Sequence, residues 1–172
     1  MDFAFGQPVD AVIQIAFVVE DLDEAMRTFG ERLGIGPWTV MRDFAGDEPM
    51  YHGAPAQARA HVALGFGGRM QYELIQPADA HPSVHRDVIE ERGYGFHHFG
   101  YARPDFDAAV EQMRGKGYEP VFTARVGPTG RVAYFDTRDV LPGMTEFIEA
   151  GDDVDADFTR MYTRTLERRF SA

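Results

Sequence analysis

Four side chains able to donate oxygen or nitrogen to a metal ion, Gln14, Glu73, His98 and Glu146, stand at matched places in the chain. The match appears when the chain is laid over itself. VIQIAFVVEDLDEAM (12–26) aligns without a gap over FHHFGYARPDFDAAV (96–110), which sets His98 on Gln14. QYELIQ (71–76) aligns over MTEFIE (144–149), which sets Glu146 on Glu73. If the two copies pack about a pseudo-two-fold axis, equivalent strand positions converge and the four side chains face one another across a cleft. Each has an ordinary reading when taken alone: an outward carboxylate on a half-exposed strand, an edge amide, a satisfied core histidine. Taken together they differ, because two carboxylates and an imidazole in one cleft repel or stay protonated unless a cation joins them. Metal ligation by all four is the reading that the repeat favours.

Three oxygen donors and one nitrogen suit an octahedral divalent ion (Zn, Ni, Co, Mn or Mg) with two positions left for water or substrate oxygens. Such an ion polarises a carbonyl and stabilises the enediolate formed when the neighbouring α-proton leaves. Glu146 and Glu73 are then the candidate catalytic bases. The reaction class is proton transfer alpha to a carbonyl: isomerisation, epimerisation or a lyase step on a small molecule. Two rivals stand beside it. A metal-free protein that sequesters a small hydrophobic molecule would keep the cleft but have no use for the two glutamates. A ring-cleaving dioxygenase would consume oxygen with catechols.

Each copy reads as strand, helix, then three strands. Asp21 and Asp105 precede the helical stretches DEAMRTFGERLG and DAAVEQMRGKG as N-caps or first-turn acids, and glycines follow as C-caps. The first copy then offers PWTVMRDF and ARAHVALGF as strands, separated by the loop GDEPMYHGAPAQ; the second offers PVFTARV and RVAYFDTR, separated by GPTG. The predicted fold is α+β: two tandem βαβββ modules (1–78 and 95–150) forming an open, barrel-like mixed sheet around the cleft. A linker (79–94) with a short helical pattern from His85 to Arg92 joins them. A tail (151–172) carries Phe158, Met161, Tyr162, Thr165 and Leu166 at helical spacing, so it packs over the core or across a dimer interface.

Period-2 alternation assigns the remaining candidates to faces. His98 shares its face with Gly100 and Ala102, and Gln14 with Ala16 and Val18; these small residues leave room for a ligand. The opposite face holds Ile13, Ile15, Phe17, Phe99 and Tyr101, and His97 falls there as a structural histidine. His61 alternates with Ala63 and Gly65 and is a candidate second acid or base in the cleft. His52, His81 and His85 read as solvent-facing. Trp38, Met41, Phe66, Tyr72 and Tyr134 offer apolar surface beside the cleft, and Arg42, Arg59, Arg69, Arg103, Arg125 and Arg131 could meet an anionic substrate but read as surface charges.

Composition narrows the field. With 172 residues, 44% hydrophobic and 26% charged, the chain suits a globular fold. A net charge of -11 argues against nucleic acid and anionic membranes as partners. No apolar run approaches a membrane span, and MDFAFGQPVD lacks the basic start and apolar core of a signal peptide, so a cytoplasmic location is expected. The absence of cysteine removes disulfides, thiolate zinc sites and thiol nucleophiles. Lys116, the single lysine, sits in the turn-like RGKGYEP and reads as a surface residue rather than a Schiff-base former.

The paired modules, the segment GFHHFGYARPDFDAAVEQM and the closing RVAYFDTRDVLPGMTEFIEA resemble the vicinal oxygen chelate superfamily over residues 10–150. That superfamily includes glyoxalase I, methylmalonyl-CoA epimerase, extradiol dioxygenases and the fosfomycin and bleomycin resistance proteins. The resemblance implies metal ligands on the first and last strands of each module, which are Gln14, Glu73, His98 and Glu146 here. A Gln, Glu, His, Glu set is similar to that of one glyoxalase I type. Extradiol dioxygenases use two histidines and one glutamate, and the first of those histidines falls on Gln14, which argues against ring cleavage. The resemblance also implies a homodimer.

Overall fold

The elements follow in the order β1 (Val12–Val18), α1 (Leu22–Leu33), β2 (Thr39–Phe44), β3 (Asp47–Tyr51), β4 (Ala54–Pro55), β5 (Ala60–Gly67) and β6 (Met70–Pro77). After these come α2 (Val84–Arg92), β7 (Gly95–Arg103), α3 (Phe106–Gly115), β8 (Pro120–Val126), β9 (Gly130–Phe135), β10 (Met144–Glu149) and α4 (Asp152–Phe170). This is a computed structural model, and it describes residues 2–170; the last two residues of the predicted tail lie outside them. The helix caps follow the sequence signals. The Asp21 side chain accepts from the Glu24 backbone N–H at 2.8 Å, and Asp105 accepts from Ala108 at 3.2 Å. Gly34 closes α1 in the left-handed conformation that a glycine adopts at least cost, whereas α3 ends at Lys116 one residue before a left-handed Gly117. Among the described residues no helix is long and apolar enough to cross a membrane.

All ten strands form one sheet in the order β2-β5-β6-β1-β7-β10-β9-β8-β3-β4. At its centre β1 and β7 pair antiparallel, with β6 parallel beside β1 and β10 parallel beside β7. Reading outward from that centre, the two halves run β1, β6, β5, β2 and β7, β10, β9, β8, which is the same order twice. The segment expected as a loop between β2 and β5 departs from that symmetry. Its residues form β3 and β4, and β3 pairs antiparallel with β8, at the far edge of the sheet. Neither proline can donate to a ladder: Pro55 lies on the edge strand β4, and Pro49 falls in the register irregularity of β3 between Asp47 and Met50.

β2 and β3 are thus joined by Ala45 and Gly46 alone, although they border opposite ends of the sheet. Two residues span at most ~7 Å of extended chain, so the sheet must curl until its edges meet. Gly46 makes that closure fit. Its φ is +73°, and a Cβ there would come within 2.9 Å of the Ala124 Cβ.

The helices α1 and α3 lie outside the curled sheet. Leu22 of α1 packs with Ala63 and Leu74, while Phe106, Ala109 and Val110 of α3 pack with Ala133, Phe135 and Phe147. The inner face carries the largest apolar cluster, which includes Phe3, Phe5, Val62, Phe66, Ile75 and Ile148. Val154 and Phe158 of α4 belong to that inner cluster. Of the two placements expected for the tail, it takes the first and folds over its own barrel.

The central pair contains two irregularities. Val12 opposes Tyr101 and Gln14 opposes Gly100, which leaves Ile13 extra; Ala16 opposes His98 and Phe17 opposes Phe96, which leaves His97 extra. An extra residue on one strand resets the alternation, so two consecutive side chains point to one side. This overturns two assignments made from alternation. Ile13 joins the inner apolar cluster instead of the outer face, and His97 turns into the barrel beside His98.

Candidate metal centre

Four adjacent strands each send one side chain to a common point inside the barrel: Glu73 from β6, Gln14 from β1, His98 from β7 and Glu146 from β10. The His98 Nε2 lies 3.1 Å from Gln14 Oε1, 3.1 Å from Glu146 Oε2 and 3.4 Å from Glu73 Oε2. Ligand atoms of Glu73, His98 and Glu146 all lie within 4.8 Å of one another. One chain supplies all of them. His98, Gln14 and Glu146 are buried and Glu73 is half-buried.

A single nitrogen cannot satisfy three oxygens. Glu73 Oε2 and Glu146 Oε2 remain buried without a hydrogen-bond partner. Leaving a buried acceptor unpaired costs about 1–3 kcal/mol, more when it is charged. Two such oxygens, an imidazole nitrogen and an amide oxygen converging on one point form a donor set that a divalent cation fits. Gly100, opposite Gln14, is part of that fit: a Cβ there would sit 2.7 Å from Gln14 Oε1.

The electrostatics of the metal-free site express the same crowding. Burial alone would pull the His98 imidazole down, but the Glu146 carboxylate first and then Glu73 outweigh it and lift its pKa to about 9. Burial pushes the Glu73 carboxyl above its ordinary value, and neighbouring Glu146 adds to the rise while His98 opposes it. Burial, reinforced by both glutamates, holds the Tyr134 hydroxyl well above the usual tyrosine value, so it stays a proton donor at neutral pH.

A supporting ring surrounds the four. Gln14 Nε2 donates to Gln71 Oε1 at 2.8 Å, which turns the Gln14 oxygen toward His98. Tyr134 pairs with Glu146 across β9 and β10, and its ring meets that of His98 edge-on at 4.9 Å. Sequence reasoning placed Tyr134 only as apolar surface and passed over Gln71. The signal for Gln71 was its place two residues before Glu73 on the same strand face. His97 contacts His98 through the two Nδ1 atoms at 2.7 Å and the Val84 carbonyl through Nε2 at 3.1 Å.

His85, read as solvent-facing, instead lines the cleft with its ring 5.1 Å from that of His97, and burial lowers its pKa to about 3. His61 is overturned in the other direction. The inner face of β5 carries Ala60, Val62, Leu64 and Phe66, so His61 points outward, where its Nδ1 accepts from the Asp43 backbone at 3.1 Å. His52 and His81 are exposed as expected.

The site opens into a cavity of about 300 Å³. Its walls are largely apolar: Met41 and Phe44 from β2, Val62 and Leu64 from β5, Phe122 from β8 and Ile148 from β10. From α4 come Phe158 and Met161 together with Asp153 and Asp157. Trp38 packs on Gly65 beneath α1 and does not reach it. Of the six arginines considered from sequence, Arg59 lines the cavity, while Arg42, Arg103, Arg125 and Arg131 engage Asp23, Asp10, Glu48 and Asp107 in ion pairs.

Residues 13–135 match the family model described as the Glyoxalase/Bleomycin resistance protein/Dioxygenase superfamily. The chain belongs to this superfamily. Family and geometry agree on the vicinal oxygen chelate architecture that the resemblance implied. A 2-epi-5-epi-valiolone epimerase from an Actinomyces species is 34% identical over 107 residues, which are 60% of this chain and 57% of that protein. The match therefore spans little more than half of that relative's length. Among solved structures, methylmalonyl-CoA epimerase from Mycobacterium tuberculosis superposes with a TM-score of 0.63 at 22% identity, covering 86% of this chain and 93% of that one. A hypothetical protein, BH1468 from Bacillus halodurans C-125, gives 0.63 at 17% identity, covering 83% and 95%. At these identities the two structures share the family fold.

Proposed function

We propose that the chain is a metal-dependent isomerase, an epimerase rather than a lyase, that moves a proton alpha to a carbonyl of a small molecule. The observation carrying this is the convergence of Gln14, Glu73 and Glu146 on His98 Nε2, with two buried carboxylate oxygens that share that one nitrogen and have no hydrogen-bond partner. The epimerase named among its relatives supports the same class. Gln14, Glu73, His98 and Glu146 would hold one divalent ion (Zn, Ni, Co, Mn or Mg), which when bound makes a substrate carbonyl more electrophilic and its α-proton more acidic.

Epimerisation removes a proton from one face of a carbon and returns one to the other. Glu73 on β6 and Glu146 on β10 flank the central pair from opposite sides, which suits them to those two tasks. Tyr134 supplies a hydroxyl donor beside Glu146. The apolar walls exclude water and favour a compact carbonyl compound with an apolar body. Among the described residues Arg59 is the one arginine or lysine in that lining, against Asp153 and Asp157, which disfavours polyanionic carriers such as CoA and glutathione.

The test is metal analysis of purified protein, followed by deuterium exchange at the α-carbon, read by proton NMR. Compact 2-hydroxy ketones, 2-epi-5-epi-valiolone and methylmalonyl-CoA would be compared with each metal restored in turn. Exchange that needs the metal and disappears in Glu146→Ala is the expected result. The apolar cavity also suits a metal-free binding protein. Tight ligand binding with no uptake of any divalent ion would favour that reading and defeat the enzyme.

A further inference from the structure

We infer that His97 is a positioning residue: backed by the Val84 carbonyl, it fixes which nitrogen of His98 carries the proton and so turns the Nε2 lone pair of His98 toward the metal centre. This rests on the metal-centre reading above. The reasoning runs inward from the backbone. A carbonyl oxygen only accepts, so the His97 Nε2 at 3.1 Å from Val84 O must carry a hydrogen. A neutral His97 protonated there presents Nδ1 as an acceptor. The His98 Nδ1, 2.7 Å away, must then be the donor. Facing an amide oxygen and two carboxylates, the Nε2 of His98 carries a hydrogen as well while no cation is bound; a bound cation would displace that one, and the hydrogen kept on Nδ1 then leaves the lone pair on Nε2, the atom that faces Gln14, Glu73 and Glu146. A His98 with its Nδ1 bare would set two lone pairs against each other at 2.7 Å.

The bulge alone does not require this imidazole. Ile13 occupies the repeat-equivalent bulge on β1, so an apolar residue fills such a position without loss of the backbone irregularity. A histidine at 97 adds a hydrogen-bond path from the first residue of α2 to the Nδ1 of the ligand imidazole. Groups of this kind, one shell beyond a metal ligand, typically change metal affinity by about 10–100-fold when removed.

The decisive measurement is the tautomeric state of the histidines in ¹⁵N-labelled full-length protein, from long-range ¹H–¹⁵N correlation spectra, metal-free and zinc-loaded. His97 protonated at Nε2 alone in both forms, with His98 protonated at Nδ1 in both and at Nε2 only until zinc replaces that proton, is the expected pattern. His97 protonated at Nδ1, or zinc on the Nδ1 of His98, would overturn the inference. Two variants add a second readout by chelator competition for zinc. His97→Phe keeps a ring in the bulge but removes the acceptor, and should weaken zinc about 10–100-fold. His97→Gln keeps an acceptor oxygen and should recover most of that loss. Unchanged zinc affinity in His97→Phe would sink the idea. Should that variant not fold, the wild-type spectra still decide. Should the wild type bind no zinc, the proposed function fails, while the metal-free spectrum still tests His97.

Discussion

On β1 a bulge turns Ile13 and Gln14 into the barrel; on β7 the repeat-equivalent bulge turns in His97 and His98. The backbone device is duplicated, but the side chains that exploit it are not. Gln14 is oriented from the neighbouring strand, by the amide of Gln71. His98 is oriented by its own predecessor, His97. The residue that lies over Gln71 in the second half is Met144, buried and apolar, so that half has no amide to offer at the same place. Symmetry of the main chain therefore sets where ligands converge, while each half solves separately how its ligand is held. The consequence is an unequal pair, with a neutral, non-titrating oxygen on one side and an ionisable nitrogen on the other.

The sharpest way to break the comparison is to remove the ligand from each side. His98→Ala takes away the nitrogen and leaves two buried carboxylates without a cationic neighbour. Losing a ligand should cost more than the about 10–100-fold typical of a group one shell beyond the metal, so metal affinity should fall by about 10²–10³-fold, measured by calorimetric titration. If Gln14→Ala costs as much, the two sides are equivalent and the asymmetry is superficial.

The next effect is in pH. His98 has a folded pKa of about 9 in the metal-free protein, above its ordinary value. The stability it contributes is complete below about pH 6.5 and is lost as pH rises through about 9, on the order of 3 kcal/mol. Burial depresses His85 to about 3 and His97 also well below its usual value, so their contribution is present above about pH 6.5 and is lost as pH falls. Melting temperature of the metal-free protein should peak near pH 6.5, and zinc should abolish the alkaline decline. An alkaline decline that persists with zinc bound would place the titrating group elsewhere. The smallest effect belongs to the amide side. Gln71→Leu frees the Gln14 amide and should weaken zinc about tenfold, roughly 1.4 kcal/mol, by chelator competition, with little change in fold.

Much of this arrangement was legible in the sequence because it repeats. The gapless overlays fixed the four converging positions, and Asp21, Asp105 and Gly34 marked helix ends through chemistry local to the turn. What escaped has a common cause. Alternation counts residues along one strand and cannot register an extra one, so His97 and Ile13 were assigned to the wrong face. The β3 and β4 residues sit among Gly, Pro and Ala, and their partner β8 lies about seventy residues onward, beyond any local signal. His61 was misplaced because its small neighbours Ala63 and Gly65 suggested an open cleft. They make room instead for α1 and Trp38 on the outer side.

The link through Ala45 and Gly46 reaches beyond shape. It lends a strand from the first copy to the border of the second, so β8 completes its hydrogen bonds only with residues encoded before the repeat begins again. Cutting the chain between α2 and β7 would yield two fragments of which the latter exposes a raw ladder ready to recruit foreign strands. Duplication here has produced a molecule whose parts can no longer be traded one for the other.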